Sequence, residues 1–243
     1  MTEYAICTFH KCGSNWFRDI FVRVAEINGD TFVHYPEGDS RFGKRIDRDG
    51  GTQHVFSIGN KREYDALFGD RAADIPTVLC LRDPKDAIVS QYFSWRNTHK
   101  NNTEMMLEWR DKLSSMSPRD GIQALIDAKR ISYLNHLSRW ESAINERENI
   151  YVLRYEDLLN DFGSALRPIL KALKIEVSHE QMEELYLSTR FEAKVRRQPG
   201  EEDQTSHYRK GVAGDSKNYF DTELDGVFDN AYKSLAQAVG YTY

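Results

Sequence analysis

Only three cysteines occur in the 243 residues, Cys7, Cys12 and Cys80, an odd number without close pairs. That excludes a disulfide framework and points to reduced thiols in a cytoplasmic setting. No apolar run is long enough to span a bilayer. The N-terminus enters a β-leaning run almost at once, which leaves no room for a signal peptide. Positive charge is not in excess either. The 33 Lys and Arg stand against 38 Asp and Glu, a formal charge of −5, which argues against a duplex nucleic acid partner. Repeats, low-complexity tracts and linkers are missing, so residues 1–243 read as one domain. Also missing is the Gly-x-x-x-x-Gly-Lys-Ser/Thr loop of ATP and GTP sites, because the one comparable turn puts its Lys before its Gly. What remains, 40% hydrophobic and 29% charged, is the composition of a globular domain with a sizeable core.

The chain is organised around Tyr4 to Glu26. Tyr4 to Phe9 is a short apolar run that reads as a buried strand. Trp16, Phe17, Ile20, Phe21 and Val24 are spaced to draw one apolar stripe on a helix. Between them lies His10-Lys11-Cys12-Gly13-Ser14-Asn15. A strand that turns through Gly into a helix leaves the first helical N–H groups unpaired at the turn. With the helix dipole and the charge of Lys11 they form an anion site, and Ser14 and Asn15 can cap the helix or donate to a phosphate oxygen. The spacing of Cys7, His10 and Cys12 fits no common zinc pattern, so no metal site is expected.

Further apolar runs at Thr31–His34, His54–Ile58, Thr77–Leu81 and Ile150–Arg154 alternate with helical stretches, which implies a parallel sheet with right-handed crossovers. The fold class is therefore α/β, a central parallel sheet flanked by helices. After the third of these runs comes Arg82-Asp83-Pro84-Lys85-Asp86, with Ser90 about two helical turns on. Asp83 caps a helix, Pro84 suits its first turn, and Arg82 sits where open parallel sheets bind ligands. An Arg there suits bidentate phosphate binding, or pairs with Asp86. Residues 97–149 read as helices packed on the core, with His99 and His136 as surface or satisfied polar residues. Residues 194–218 form a basic, aperiodic stretch that includes Tyr208-Arg209-Lys210-Gly211-Val212-Ala213-Gly214-Asp215-Ser216-Lys217-Asn218.

His10-Lys11-Cys12-Gly13-Ser14-Asn15-Trp16 resembles the 5′-phosphosulfate loop, Pro-Lys-Ser-Gly-Thr-Thr-Trp, of sulfotransferases that use 3′-phosphoadenosine 5′-phosphosulfate (PAPS). Lys, Gly and Trp match; His, Cys, Ser and Asn depart. Arg82 to Ser90 reproduces the family's Arg-Asn/Asp-Pro-Lys-Asp-x-x-x-Ser segment, and Tyr155-Glu156-Asp157-Leu158 looks like its Tyr-Glu-Asp-Leu segment. The 209–218 stretch is similar to its Arg-Lys-Gly-x-x-Gly-Asp-Trp-Lys-Asn loop, with Ser216 in place of Trp. The resemblance implies a P-loop-like fold with PAPS as co-substrate, PAP as product and no metal. It implies that Lys11, Cys12, Gly13, Ser14 and Asn15 hold the 5′ side. Arg82, Ser90, Arg209, Lys210 and Gly211 would hold the 3′-phosphate, and Trp16, Tyr155, Thr189 and Phe191 the adenine.

Sulfuryl transfer builds charge on the departing phosphate's bridging oxygen, which Lys11 is placed to stabilise, and needs a base for the acceptor's proton. The family base is a His in a strand before the 3′-phosphate segment; His54 is the nearest match, with His34 and Glu37 behind it. The acceptor, a small molecule or a glycan bearing a hydroxyl or amine, is expected between the loops around 35–53, 97–104 and 196–207. A P-loop kinase or phosphotransferase using ATP and Mg²⁺ is the alternative activity, and a catalytically idle nucleotide-binding module the third reading.

Overall fold

Residues 3–35, 52–100 and 103–243 are described by a computed structural model of the chain. Five strands, β1 (Glu3–Thr8), β2 (Thr31–Tyr35), β3 (Gln53–Ile58), β4 (Thr77–Leu81) and β5 (Ile150–Arg154), form one sheet in the order β2-β3-β1-β4-β5. Every pairing is parallel, as the alternation of strands and helices predicts. β1 crosses over to β2 and β3 on one side, and the chain then turns to β4 and β5 on the other. The direction reverses at the β1/β4 boundary, so the carboxyl ends of those two strands open a crevice.

Side chains alternate along each strand and supply two cores. Ile6, Val78, Cys80 and Leu153 face a layer built on α1 (Ser14–Asn28), and Ala5, Cys7, Leu79 and Leu81 face the opposite one. Between β3 and β5 the chain forms α2 (Lys61–Phe68), α3 (Pro84–Phe93), α4 (Glu104–Ser114), α5 (Pro118–Asp127), α6 (Ser132–Leu137) and α7 (Glu141–Glu146). β5 is followed by α8 (Tyr155–Asn160), α9 (Phe162–Ala172), α10 (His179–Thr189) and α11 (Phe191–Lys194), and α12 (Thr222–Ala238) closes the fold. The apolar stretch from Ile131 to Ile144 divides into α6 and α7. Its anchor Trp140 is fully buried and donates its indole N–H to the Gly59 carbonyl at 3.0 Å.

Local signals set most helix starts. Asp83 accepts from the amides of Lys85 and Asp86 with Pro84 in the first turn of α3; Ser117 caps α5; Ser178 and Gln181 close a capping box on α10. α1 is one of five helices without a side-chain cap, with α6, α7, α8 and α11. It starts at Gly13, in the left-handed region at φ 88°, with no side-chain cap. A Cβ at Gly13 would come within 2.8 Å of the Tyr155 ring, so both conformation and space demand glycine there.

At the end of α3 the helix widens. Ser94–Thr98 is a π turn, and His99 donates its amide to the Ser94 carbonyl at 2.7 Å. Leu79 lies at the centre of the sheet with no exposed surface. We expect Leu79→Ala to cost about 3 kcal/mol in denaturant unfolding with an unchanged m-value.

Candidate active site at the carboxyl ends of β1 and β4

The crevice opens into a cavity of about 500 Å³ lined from several segments of the chain. The β1–α1 turn contributes His10, Lys11, Gly13, Ser14, Asn15 and Trp16, and α3 with its entry contributes Arg82 and Ser90. Tyr155, Thr189 and Phe191 arrive from α8, α10 and α11, and Arg209, Lys210 and Gly211 from the basic loop. Thirteen of the fifteen residues named from the sequence thus line one space; Cys12 and His54 do not.

Cys12 is a correction. Its side chain is wholly buried beneath the turn, and its amide donates to the Phe9 carbonyl at 3.2 Å, leaving neither group for an anion. Burial also pushes its thiol well above the ordinary value. Ser14 does not cap the helix, because its hydroxyl donates to the same Phe9 carbonyl at 3.0 Å. Those two bonds pin the turn.

His54 is the second correction. It lies near the amino end of β3, in register with Tyr4, whereas the cavity opens at the carboxyl end. Four residues of strand, about 13 Å, separate it from Ile58. Its ring is fully buried, packs edge-on against Tyr4 and donates from Nε2 to Asp30 at 2.8 Å. Burial lowers its pKa despite Asp30, so it stands as a neutral structural histidine. His34 packs its ring against Phe56 in the sheet and does not line the cavity; Glu37 lies outside the described residues.

Arg82 joins the segments. Its guanidinium donates to the Lys11 carbonyl at 3.3 Å and the Val212 carbonyl at 3.1 Å, lies 3.6 Å from Asp86 and stacks 4.5 Å from the centre of the Tyr155 ring. Its Nε remains buried without a partner. Asp86, itself buried, accepts the amides of Gly214 and Ser216 at 2.7 and 2.8 Å and so anchors the basic loop to α3. Ser216 stands where the resembling loop has Trp, and its amide keeps the loop docked. Glu156 completes the weave, accepting the Asp83 amide at 2.9 Å and the Tyr241 hydroxyl at 3.2 Å.

The basic loop holds its cations ready. Asp215 accepts from Arg209, from Lys210 at 2.5 Å and from Asn218 at 2.9 Å. Burial works against its charge, but those donors together keep its carboxyl below the usual range. Gly211 adopts φ 67°, and a Cβ there would collide with the Phe191 ring at 2.4 Å. On the other wall, Trp16 meets Tyr155 edge-on at 5.3 Å, and its indole N–H is buried without a partner.

Lys11 has a left-handed backbone, φ 66°, which no sequence signal announced. Its pKa is lowered to about 8, first by burial and then by the charges of Arg82 and Arg209. The cavity thus gathers positive charge that Asp86 and Asp215, behind it, offset only in part. Among the described lining residues there is no carboxylate.

The 97–104 and 196–207 segments contribute His99, Thr103 and His207 to the cavity, beside Trp95, Met105 and Met106. The sequence reads His99 as a surface or satisfied polar residue, since the π turn that brings it to the cavity has no local signature. Among the described residues no group of three or more His, Cys, Asp or Glu side chains could hold a metal ion, and no helix is long and apolar enough to cross a membrane.

A family model described as "Sulfotransferase domain" matches residues 72–240. "Sulfotransferase 2A6" of Mus musculus is 24% identical over 251 residues, covering 95% of this chain and 83% of its own length. The "3-alpha-hydroxysteroid sulfotransferase" of Cavia porcellus is 25% identical over 252 residues, covering 93% and 80%. Among solved structures, mouse sulfotransferase SULT7A1 complexed with PAP superposes with a TM-score of 0.68 at 20% identity, covering 97% of this chain and 84% of that one.

Removing Asp86 strands two buried amides and half of an ion pair. Asp86→Ala is expected to cost about 3 kcal/mol in denaturant unfolding and to expose the 212–216 loop to proteolysis.

Proposed function

The chain belongs to the sulfotransferase domain family, and from that premise we propose that it moves the sulfuryl group of PAPS to a hydroxyl or amine of a small-molecule or glycan acceptor, leaving PAP. The observation that carries this reading is the convergence of Lys11, Arg82 and Arg209. Burial first, and then repulsion from Arg82 and Arg209, pulls the Lys11 pKa to about 8, and a bound polyanion offsets that repulsion. The residues fit a doubly phosphorylated adenosine. Arg82 has a buried, unpartnered Nε, Trp16 a buried, unpartnered indole N–H, and the Gly13 turn brings helix N–H groups to the same space. We take residues 1–243 as one such domain in a cytoplasmic setting, a reading supported by three buried thiols, none of which forms a disulfide.

In this assignment the α1 amino terminus and Lys11 bind the 5′ side, while Arg82, Ser90, Arg209, Lys210 and Gly211 bind the 3′-phosphate. Trp16, Tyr155, Thr189 and Phe191 hold the base. PAPS supplies an activated sulfuryl group when bound. The ammonium of Lys11 lowers the barrier because it meets a phosphate oxygen whose charge grows toward the transition state. Arg82 ties the Lys11 carbonyl to the 3′-phosphate wall, so occupation of that wall also orients Lys11. Trp95, Met105 and Met106 give the acceptor an apolar wall.

The test is transfer of labelled sulfate from PAPS to a panel of alcohols, phenols, glycans and amines. Lys11→Ala should lower turnover by about 10²–10³-fold, and Arg82→Ala should abolish PAP binding in the working range. Full activity in both variants contradicts the assignment. His54→Asn should stay within about threefold of the parent turnover, since its ring lies at the other end of β3.

A pH dependence follows with a definite sign. In the free protein Lys11 loses its proton near pH 8, below its ordinary value, so PAP affinity falls as pH rises through that region. Calorimetric titration with PAP between pH 6.5 and 9.5 should show the fall, and Lys11→Met should flatten it.

A further inference from the structure

In the reading above, sulfuryl transfer needs a base for the acceptor's proton, and the corrected placement of His54 leaves that role open. The carboxyl end of β3 runs Ser57-Ile58-Gly59, with no titratable residue at the cavity. Among the described lining residues there is no Asp or Glu. The remaining groups are cations, phenols and three imidazoles, from His10, His99 and His207. The phenols of Tyr155 and Tyr208 are pushed up by burial and hold their protons. Among the described lining residues, an imidazole is what is left to accept one.

Among the three, the backbone singles out His99. His207 is exposed on the basic loop, beside the cations of the 3′-phosphate wall. His10 sits within the turn that carries Lys11. His99 is half-buried and lines the cavity together with Trp95, Met105 and Met106. Its backbone is fixed at both ends. Its amide donates to the Ser94 carbonyl at 2.7 Å across the π turn, and its carbonyl accepts from the Arg110 guanidinium. The same Arg110 donates to the Trp95 carbonyl at 3.1 Å, so one side chain from α4 clamps the turn at two points. The clamp fixes the backbone of His99, the residue that caps the π turn and lines the cavity.

We propose that His99, set by the Arg110-clamped π turn, is the general base that deprotonates the acceptor. The unprotonated ring nitrogen takes the acceptor's O–H or N–H proton as the bond from that oxygen or nitrogen to sulfur forms. The bond from sulfur to the bridging oxygen breaks, and its electron pair leaves with the phosphate beside Lys11. The ring is suited to this at neutral pH. Burial, then the charges of Lys11, His10 and Arg110, hold its pKa below the ordinary histidine value, so it is neutral before the step. The charged and titratable groups that face it are Lys11 and His10 from the β1–α1 turn, Arg110 from α4, and His207 from the basic loop. All are cationic or neutral.

The inference rests on the sulfotransferase reading, and its test separates the two. Wild-type and His99→Asn chains are titrated calorimetrically with PAP, then assayed for turnover of labelled PAPS with water, a primary alcohol, phenol and 4-nitrophenol as acceptors. Water guarantees a measurable reaction if the others are refused. His99→Asn should keep its PAP affinity within about threefold. Its turnover with water and the alcohol should fall by about 10²-fold or more, and by much less with 4-nitrophenol, which ionises by itself. The acid limb of the wild-type pH–rate profile, lying below the ordinary histidine pKa, should vanish in the variant. Turnover within about threefold of wild type for every acceptor overturns the proposal. So does a uniform loss across the acceptors with the acid limb retained, which marks His99 as structural. Failure of the wild-type chain to bind PAP overturns instead the sulfotransferase reading on which the proposal rests.

Discussion

The contact between Arg82 and Asp86 is the constraint on which the site depends. A buried Arg–carboxylate pair adds little to stability by itself, because the cost of stripping water from both ions offsets most of their attraction. Here each partner is spent on something else. Arg82 reaches the carbonyls of Lys11 and Val212, and Asp86 takes the amides of Gly214 and Ser216. Four separate stretches of chain, the β1–α1 turn, the β4–α3 junction, the start of α8 through the Tyr155 ring, and the basic loop, meet at this one pair. The pair fixes where they meet.

That meeting point is electrically unbalanced. Asp86 and Asp215 neutralise Arg82 and Arg209 in part, yet Lys11 still carries a depressed pKa. Repulsion of this kind is tolerable only because the sheet and its two cores hold the segments in place. A bound polyanion turns the same repulsion into attraction. Preorganised charge of this sort needs no rearrangement at the moment of reaction, which is where its catalytic value lies.

Much of this was legible in the residues themselves. The strand–Gly turn–helix of Tyr4 to Glu26 and the Asp83–Pro84 helix start are local, so the sequence states them directly. Two segments that end neighbouring parallel strands, β1 and β4, then fix the crevice. The errors are those of a one-dimensional view. Cys12 was counted into the loop by position, but the turn's hydrogen bonds to Phe9 rotate it inward. His54 has the right order in the chain and the wrong end of its strand, and order alone cannot separate the two ends. His99 reads from the sequence as a surface or satisfied polar residue, because the π turn that carries it to the cavity is held by Arg110, which is adjacent only in the fold.

The most direct test of the central claim is a pair of calorimetric titrations, with PAP and with adenosine 5′-phosphate, which lacks the 3′-phosphate. If Arg82, Arg209 and Lys210 form a wall for that group, PAP binds at least about 10²-fold more tightly, the worth of two charge-assisted hydrogen bonds. Equal affinities would contradict the account.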